Sequence, residues 1–309
     1  MPSPSATAAP PTDLLYARSA ALVVLAGTLW SMGGFLVKLV EGADSIQIVL
    51  YRSLFVVPVA AGFIVFRGSD LLRSTLALGW NGLFGAVCLA GAFVTYVTAL
   101  TLTTVANAAF VLAATPFVTA LLARLILGEP VRRVTWTAMA LAGAGVVVIA
   151  VPGIGGGRLA GTLLALGSCV CFALFSVALR RGRSLDGTPS LLMAALLSAS
   201  ACAVLLWLDR GLGALVIGRH DLLACAVMGI VQIGCGLVAF TMGSRHVPAA
   251  DLALLAQTEV VLSPVWAWLV VGEVPAFWTV VGGTMVLAAV TLQALIGARR
   301  STVPRPGNG

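Results

Sequence analysis

One carboxylate in this sequence lies far from any polar stretch. Glu259 falls about ten residues from either end of the apolar run 249–271, and at roughly 1.5 Å of rise per residue that is the middle of a membrane-length helix. A charged side chain facing lipid at that depth costs roughly 2.5 to 3.5 kcal/mol on insertion scales, so Glu259 is expected to face protein or water. Two kinds of chemistry suit it there: holding the ammonium group of a substrate, or exchanging a proton to couple transport. The alternative is a protonated or paired packing residue. The other ten of the eleven acidic residues lie at the ends of apolar runs, in connections or in the tail.

Arg52 stands roughly two turns inside the run 46–66, deep enough to meet a cavity and near enough to the interface for its stem to snorkel. Lys38 is shallower, placed to anchor the interface, to attract anions at a mouth or to gate. Trp30, Tyr96, Asn107, Gln232 and Gln257 are the remaining mid-run groups that offer a ring face or hydrogen bonds to a ligand; the alternative for each is packing between helices. Tyr96 and Asn107 flank one tight connection, and Gln257 is two residues from Glu259 on a different helix face, so they cannot all line one cavity. Pro116 and Pro264 each remove a backbone donor within a run and are expected to kink it, freeing carbonyls that a cavity can use. Glu129 and Glu273 close their runs within reach of water, and Arg132 or Arg133 is the expected partner of Glu129.

The elements that must hold these groups follow from composition. Of 309 residues, 60% are hydrophobic and 9% are charged, against about 25% charged in a soluble domain. Apolar runs fall near 19–40, 46–66, 76–99, 104–127, 134–151, 159–179, 190–208, 222–243, 249–271 and 276–297, which predicts an all-α integral membrane protein of ten transmembrane helices. The net charge of +7 does not point to nucleic acid, because the basic residues sit between apolar runs. Thirteen of the 18 Lys and Arg, among them Arg18, Arg67, Arg132, Arg133, Arg180 and Arg181, fall on one side; Lys38, Arg158, Arg210 and Arg219 fall on the other. The positive-inside rule then predicts that both termini are cytoplasmic.

The chain also repeats itself. Residues 96–129 laid over 240–273 at an offset of 144 match Ala106, Ala109, Ala123, Leu125, Gly128 and Glu129 with Ala250, Ala253, Ala267, Leu269, Gly272 and Glu273. Likewise Trp30 to Lys38 mirrors Phe172 to Arg180, an aromatic eight residues before a cation. Five helices per half is an odd number, so the second half runs through the membrane in the opposite sense. The expected organisation is a tail at 1–17, a first repeat at 18–152, a second at 153–298 and a tail at 299–309. Inverted repeats of this kind bind substrate near the midplane between the halves in many secondary transporters.

The sequence resembles the EamA family of the drug/metabolite transporter superfamily over residues 19–297. The resemblance is carried by Leu29-Trp30-Ser31 with Lys38, by Arg52, by Pro116 through Leu127-Gly128-Glu129, and by Thr258 through Trp268 leading into Val271-Gly272-Glu273. Two departures are Ser45, where such proteins often carry proline, and the lack of a second-half arginine matching Arg52. The resemblance implies a central cavity and alternating-access export of a small amino acid-like or drug-like metabolite across a bacterial inner (plasma) membrane. The implied partners are the substrate, the lipid bilayer and, as coupling ion, protons. A membrane-embedded enzyme or lipid-handling protein using the same cavity is the alternative, and a scaffold subunit is a third class. No HExxH, Walker loop or Rossmann fingerprint is present, and no mid-membrane serine has a histidine at similar depth. No catalytic residue, cofactor or metal site is therefore assigned, and all six cysteines lie inside apolar runs as small packing residues.

Overall fold

The computed structural model describes residues 12–153, 158–182, 187–244 and 246–301. Residues 1–11 and 302–309 of the tails expected at 1–17 and 299–309, and the basic residues Arg183, Arg245 and Arg305, lie outside the described residues. Ten helices are long and apolar enough to cross a membrane: α1 (Leu15–Lys38), α2 (Ser45–Phe66), α3 (Gly79–Leu102), α4 (Val105–Leu127), α5 (Arg133–Ala150), α6 (Leu159–Arg181), α7 (Thr188–Arg210), α8 (Arg219–Gly243), α9 (Leu254–Val271) and α10 (Phe277–Leu295). Helical structure begins at Thr12, inside the stretch expected to be tail. No strand occurs among the described residues. The chain is a multi-pass membrane protein of two inverted five-helix repeats.

Large apolar side chains cover the outside of the bundle, including Phe66, Trp80, Trp207 and Phe277. Such a surface is stable against lipid tails and not against water. Trp80, Trp136, Trp207 and Trp278 all stand at helix ends, the level at which amphipathic rings settle between headgroups and hydrocarbon.

Local chemistry fixes where these helices begin and end. Asp44 caps α2 by accepting from the amides of Ile46 and Gln47, while the Gln47 side chain accepts from the Asp44 amide; this reciprocal box satisfies donors that a helix start leaves free. The helices α4 and α9 stop in the same way. Gly128 (φ 72°) and Gly272 (φ 69°) both turn left-handed, a conformation open to glycine at little cost. The amides of Glu129 and Glu273 then bond to the carbonyls of Ala123 and Ala267.

The repeat reaches further than its six identities. In α4 the helix breaks between Val105–Leu112 and Thr115–Leu127, and at α9 between Ala249–Ala256 and Thr258–Val271; Ala113 and Gln257, at the two breaks, are 144 residues apart. Helix packing obeys the same relation. The pair α3–α6 has its mate in α8–α1, α4–α6 has its mate in α9–α1, and α2–α7 and α5–α10 are their own mates. The break in α4 falls in the turn before Pro116, which has no amide to bond the Leu112 carbonyl and whose ring crowds it. Pro264 lies inside the helix Thr258–Val271, which continues through it.

Candidate functional site

Between the halves lies a cavity of about 1180 Å³, a little above the usual range for small-molecule sites. It runs from mid-bundle to the loops that carry Glu129 to Arg133 and Gly187. Among the described residues its wall takes nothing from the loops at the opposite, Lys38 end.

Six of the sequence-derived candidates share this wall: Trp30, Arg52, Tyr96, Gln232, Gln257 and Glu259. Trp30 packs on Phe240 with ring centroids 5.2 Å apart, and its carbonyl accepts from the Gln232 side chain at 3.3 Å. Its indole nitrogen comes so near Gly236 that any side chain there would overlap it. Glu259 is not in mid-helix. It occupies the first turn of the helix Thr258–Val271, at the positive end of the helix dipole, where a carboxylate is best tolerated. The break at Gln257 thus presents a helix end at membrane depth, as broken helices do in many secondary transporters. Arg52 is buried, with its guanidinium 4.8 Å from the centre of the Phe93 ring. Neither Glu259 nor Arg52 forms an ion pair among the described residues.

Two candidates lie elsewhere. Asn107 is off the cavity wall: its amide nitrogen donates to Thr103 at 3.1 Å and Thr162 at 3.3 Å, and its oxygen accepts from Thr279 at 2.8 Å. A side chain with donors and acceptor so engaged joins α3, α4, α6 and α10 and has little left for a ligand. Lys38 belongs to a seal. Its ammonium is 3.8 Å from Glu273 and donates to the carbonyl of Thr103 at 2.9 Å, while Glu273 accepts from the Val105 amide at 2.6 Å.

The loops above that seal are laced together as well. Asp221 accepts from the amides of Glu41, Gly42 and Ala43. The Gln47 side chain and the Tyr51 hydroxyl donate to the carbonyls of Ala214 and Leu215, and Arg210 meets Asp44 at 2.6 Å. At the other end Glu129 pairs with Arg180 at 3.4 Å, not with Arg132 or Arg133 as expected, because α6 brings Arg180 alongside the end of α4.

Sequence reasoning missed several wall residues, among them Phe93, Thr115, Phe172, Phe240 and Gln293. A usable signal was present. At the repeat offsets Trp30 maps to Phe172, Tyr96 to Phe240 and Glu259 to Thr115, and all six line the cavity. These wall positions are built twice, with a carboxylate at Glu259 and a hydroxyl at its mate Thr115.

Comparisons with known proteins agree with this architecture. The model of the EamA-like transporter family matches residues 17–151 and again 159–295. A curated relative, solute carrier family 35 member G1 of Mus musculus, is 24% identical over 294 residues, covering 87% of this chain and 76% of that protein. A solved crystal structure superimposes with a TM-score of 0.63 at 20% identity, over 93% of this chain and 99% of the other.

Proposed function

We propose that this chain, which belongs to the EamA-like transporter family through both of its halves, is a secondary transporter that exports a small amino acid-like or drug-like metabolite by alternating access. The observation that carries this reading is a cavity between inverted repeats, open at one end and sealed at the other. The basic end, with Arg132, Arg133, Arg180 and Arg181, faces the cytoplasm of a plasma membrane by the positive-inside rule. The structure is then the inward-open state, ready to load from inside.

In this scheme Trp30, Tyr96, Gln232 and Gln257 contact the substrate, and Glu259 takes an amine or exchanges a proton for it. Lys38 and Glu273 form the outer gate. Rocking the halves parts Lys38 from Glu273 and closes the Arg180 end in its place. Purified protein in liposomes tests the reading: preloaded vesicles should show counterflow of a transported metabolite, and a proton gradient of the right sign should drive its accumulation. Turnover of a substrate into a different molecule, with no flux, would favour an enzyme in its place.

A further inference from the structure

We infer that Arg52 is a carboxylate subsite, so that the cargo of this cavity is a small organic acid group carried on an apolar body. The inference deepens the transport reading and rests on the same cavity. Arg52 belongs to the cavity wall, yet only 5% of its surface is exposed. Its Nε and Nη2 are both buried and lack any hydrogen-bond partner. These two nitrogens are neighbours on one edge of the guanidinium plane, and their parallel N–H bonds form the fork that matches the two oxygens of a carboxylate. The centre of the Phe93 ring lies 4.8 Å from the guanidinium carbon and offers its π face to the charge without answering the two N–H groups as a hydrogen-bond partner.

An unpaired cationic fork at this depth is costly, because buried donors to which nothing answers lose their hydration with no return. Among the described residues no acid pairs with it. The titratable groups within electrostatic reach of Arg52 are Cys225, Tyr96 and Cys202, and none of them is a carboxylate. Glu259, the one acid at similar depth, shares the cavity but is not paired with Arg52. Tyr96 lies within electrostatic reach of both. The wall around them is aromatic, with Phe93, Phe172 and Phe240. A ligand with a carboxylate at one end and an apolar body completes the arginine edge and fills this wall. An amine on the same ligand is accommodated by Glu259 and is not required. The fork is covered in the present state, so the acid group reaches it when the side chains over Arg52 part.

The experiment compares matched probes on detergent-purified protein by thermal stabilisation: 3-phenylpropionate against 3-phenylpropanamide, and L-phenylalanine against L-phenylalaninamide. Each carboxylate should bind about tenfold or more tightly than its amide, the scale of a hydrogen-bonded charge. That preference should vanish in Arg52→Gln and be reduced in Arg52→Lys, which keeps the charge and loses the fork. Because the acid and amide are compared on the parent protein, the test stands even if a variant fails to fold. Equal binding of acid and amide, binding of none of the four below 10 mM, or a loss in Arg52→Gln that is the same for both members of a pair would overturn the subsite. Carboxylate-selective binding without flux in liposomes would leave the subsite standing and remove the transport reading; flux with no carboxylate preference would do the reverse.

Discussion

The two ends of the bundle carry the same ion pair in different surroundings. Lys38 with Glu273 and Arg180 with Glu129 are repeat mates, and each pair joins a residue of one half to a residue of the other. At the Lys38 end the pair is largely enclosed, with side chains 26% and 18% exposed, and it also holds the backbone of Thr103 and Val105 in the α3–α4 connection. The first half of α4 therefore packs against the second half of α9 and against α10. At the Arg180 end the side chains are 54% and 48% exposed and line the cavity mouth. The mates of Thr103 and Val105 are Val247 and Ala249. The helix that follows them, Ala249–Ala256, packs on α1 and α10, with no comparable packing on the second half of α4. At one end the pair is enclosed and tied to the backbone of the α3–α4 connection, and at the other it is half-exposed at the cavity mouth. An inverted repeat encodes both ends alike and lets one conformation close only one of them.

The largest test is of which end is which. Alkaline-phosphatase fusions after Gly213 should be fully active and fusions after Arg183 inactive, since the thirteen-to-four bias puts the Lys38 end outside. The reverse pattern would turn the cavity outward and make this an outward-open state.

Next in size is a place where the two copies of the wall differ in charge, Glu259 against Thr115. Glu259→Gln should lower flux by about two orders of magnitude, the scale of a positioned titrating side chain, while membrane insertion and thermal stability stay near those of the parent. Glu259→Thr, which copies Thr115 and makes this position alike on both halves, should do the same. Flux equal to the parent across pH, with the proton gradient collapsed, would return Glu259 to packing.

The ends themselves can be compared with Thr115→Cys as a reporter in a protein without its native cysteines. An impermeant thiol reagent added from outside should label it slowly. Lys38→Gln or Glu273→Gln should raise that rate about fivefold, as expected for losing on the order of 1 kcal/mol from a partly enclosed pair. The charge exchange Lys38→Glu with Glu273→Lys should bring it back down. Arg180→Gln should change the rate in the opposite sense and by less than about twofold, because an exposed pair contributes little. Equal effects at both ends would mean that the surroundings of the two pairs do not matter.

Much of this frame was legible beforehand. Ten spans, two halves and the matched Gly128-Glu129 and Gly272-Glu273 endings follow from apolar runs and a constant offset. The break in α4 was legible too, in the turn before Pro116; the break in α9 was not, since Gln257 is no helix breaker and Pro264 lies beyond it inside the following helix. That second break moves Glu259 to a helix start. Asn107 was misplaced because depth along a run does not say which face meets a cavity, and its three threonine partners come from α3, α6 and α10. Phe172 and Phe240 were readable only by carrying Trp30 and Tyr96 through the repeat.

The smallest effect expected is at the loops over the closed end. Burial alone would raise the Asp44 carboxyl, but the Gln47 amide and the Arg210 guanidinium outweigh it and hold Asp44 below its ordinary value. A group whose folded-state value is depressed stabilises the fold fully above its unfolded value and loses that contribution as pH falls through the folded one. The window therefore opens below about pH 3.9, the unperturbed value for Asp, and the transported range near neutrality is untouched. Asp44 and Arg210 are a third to a half exposed, so solvent screening keeps the effect small. Hydrogen exchange of residues 39–47 and 211–218, corrected for intrinsic rate, should show protection falling by less than about threefold as pH drops through that window. Asp221 also grips residues 41–43, so Asp44→Asn is the control that separates the two acids. It should begin with the lower protection and lose the part of the pH dependence that belongs to Asp44. A profile identical in parent and variant would assign the closed end's acid sensitivity to Asp221, and the Asp44–Arg210 contact would then be a surface pair that contributes nothing to the seal.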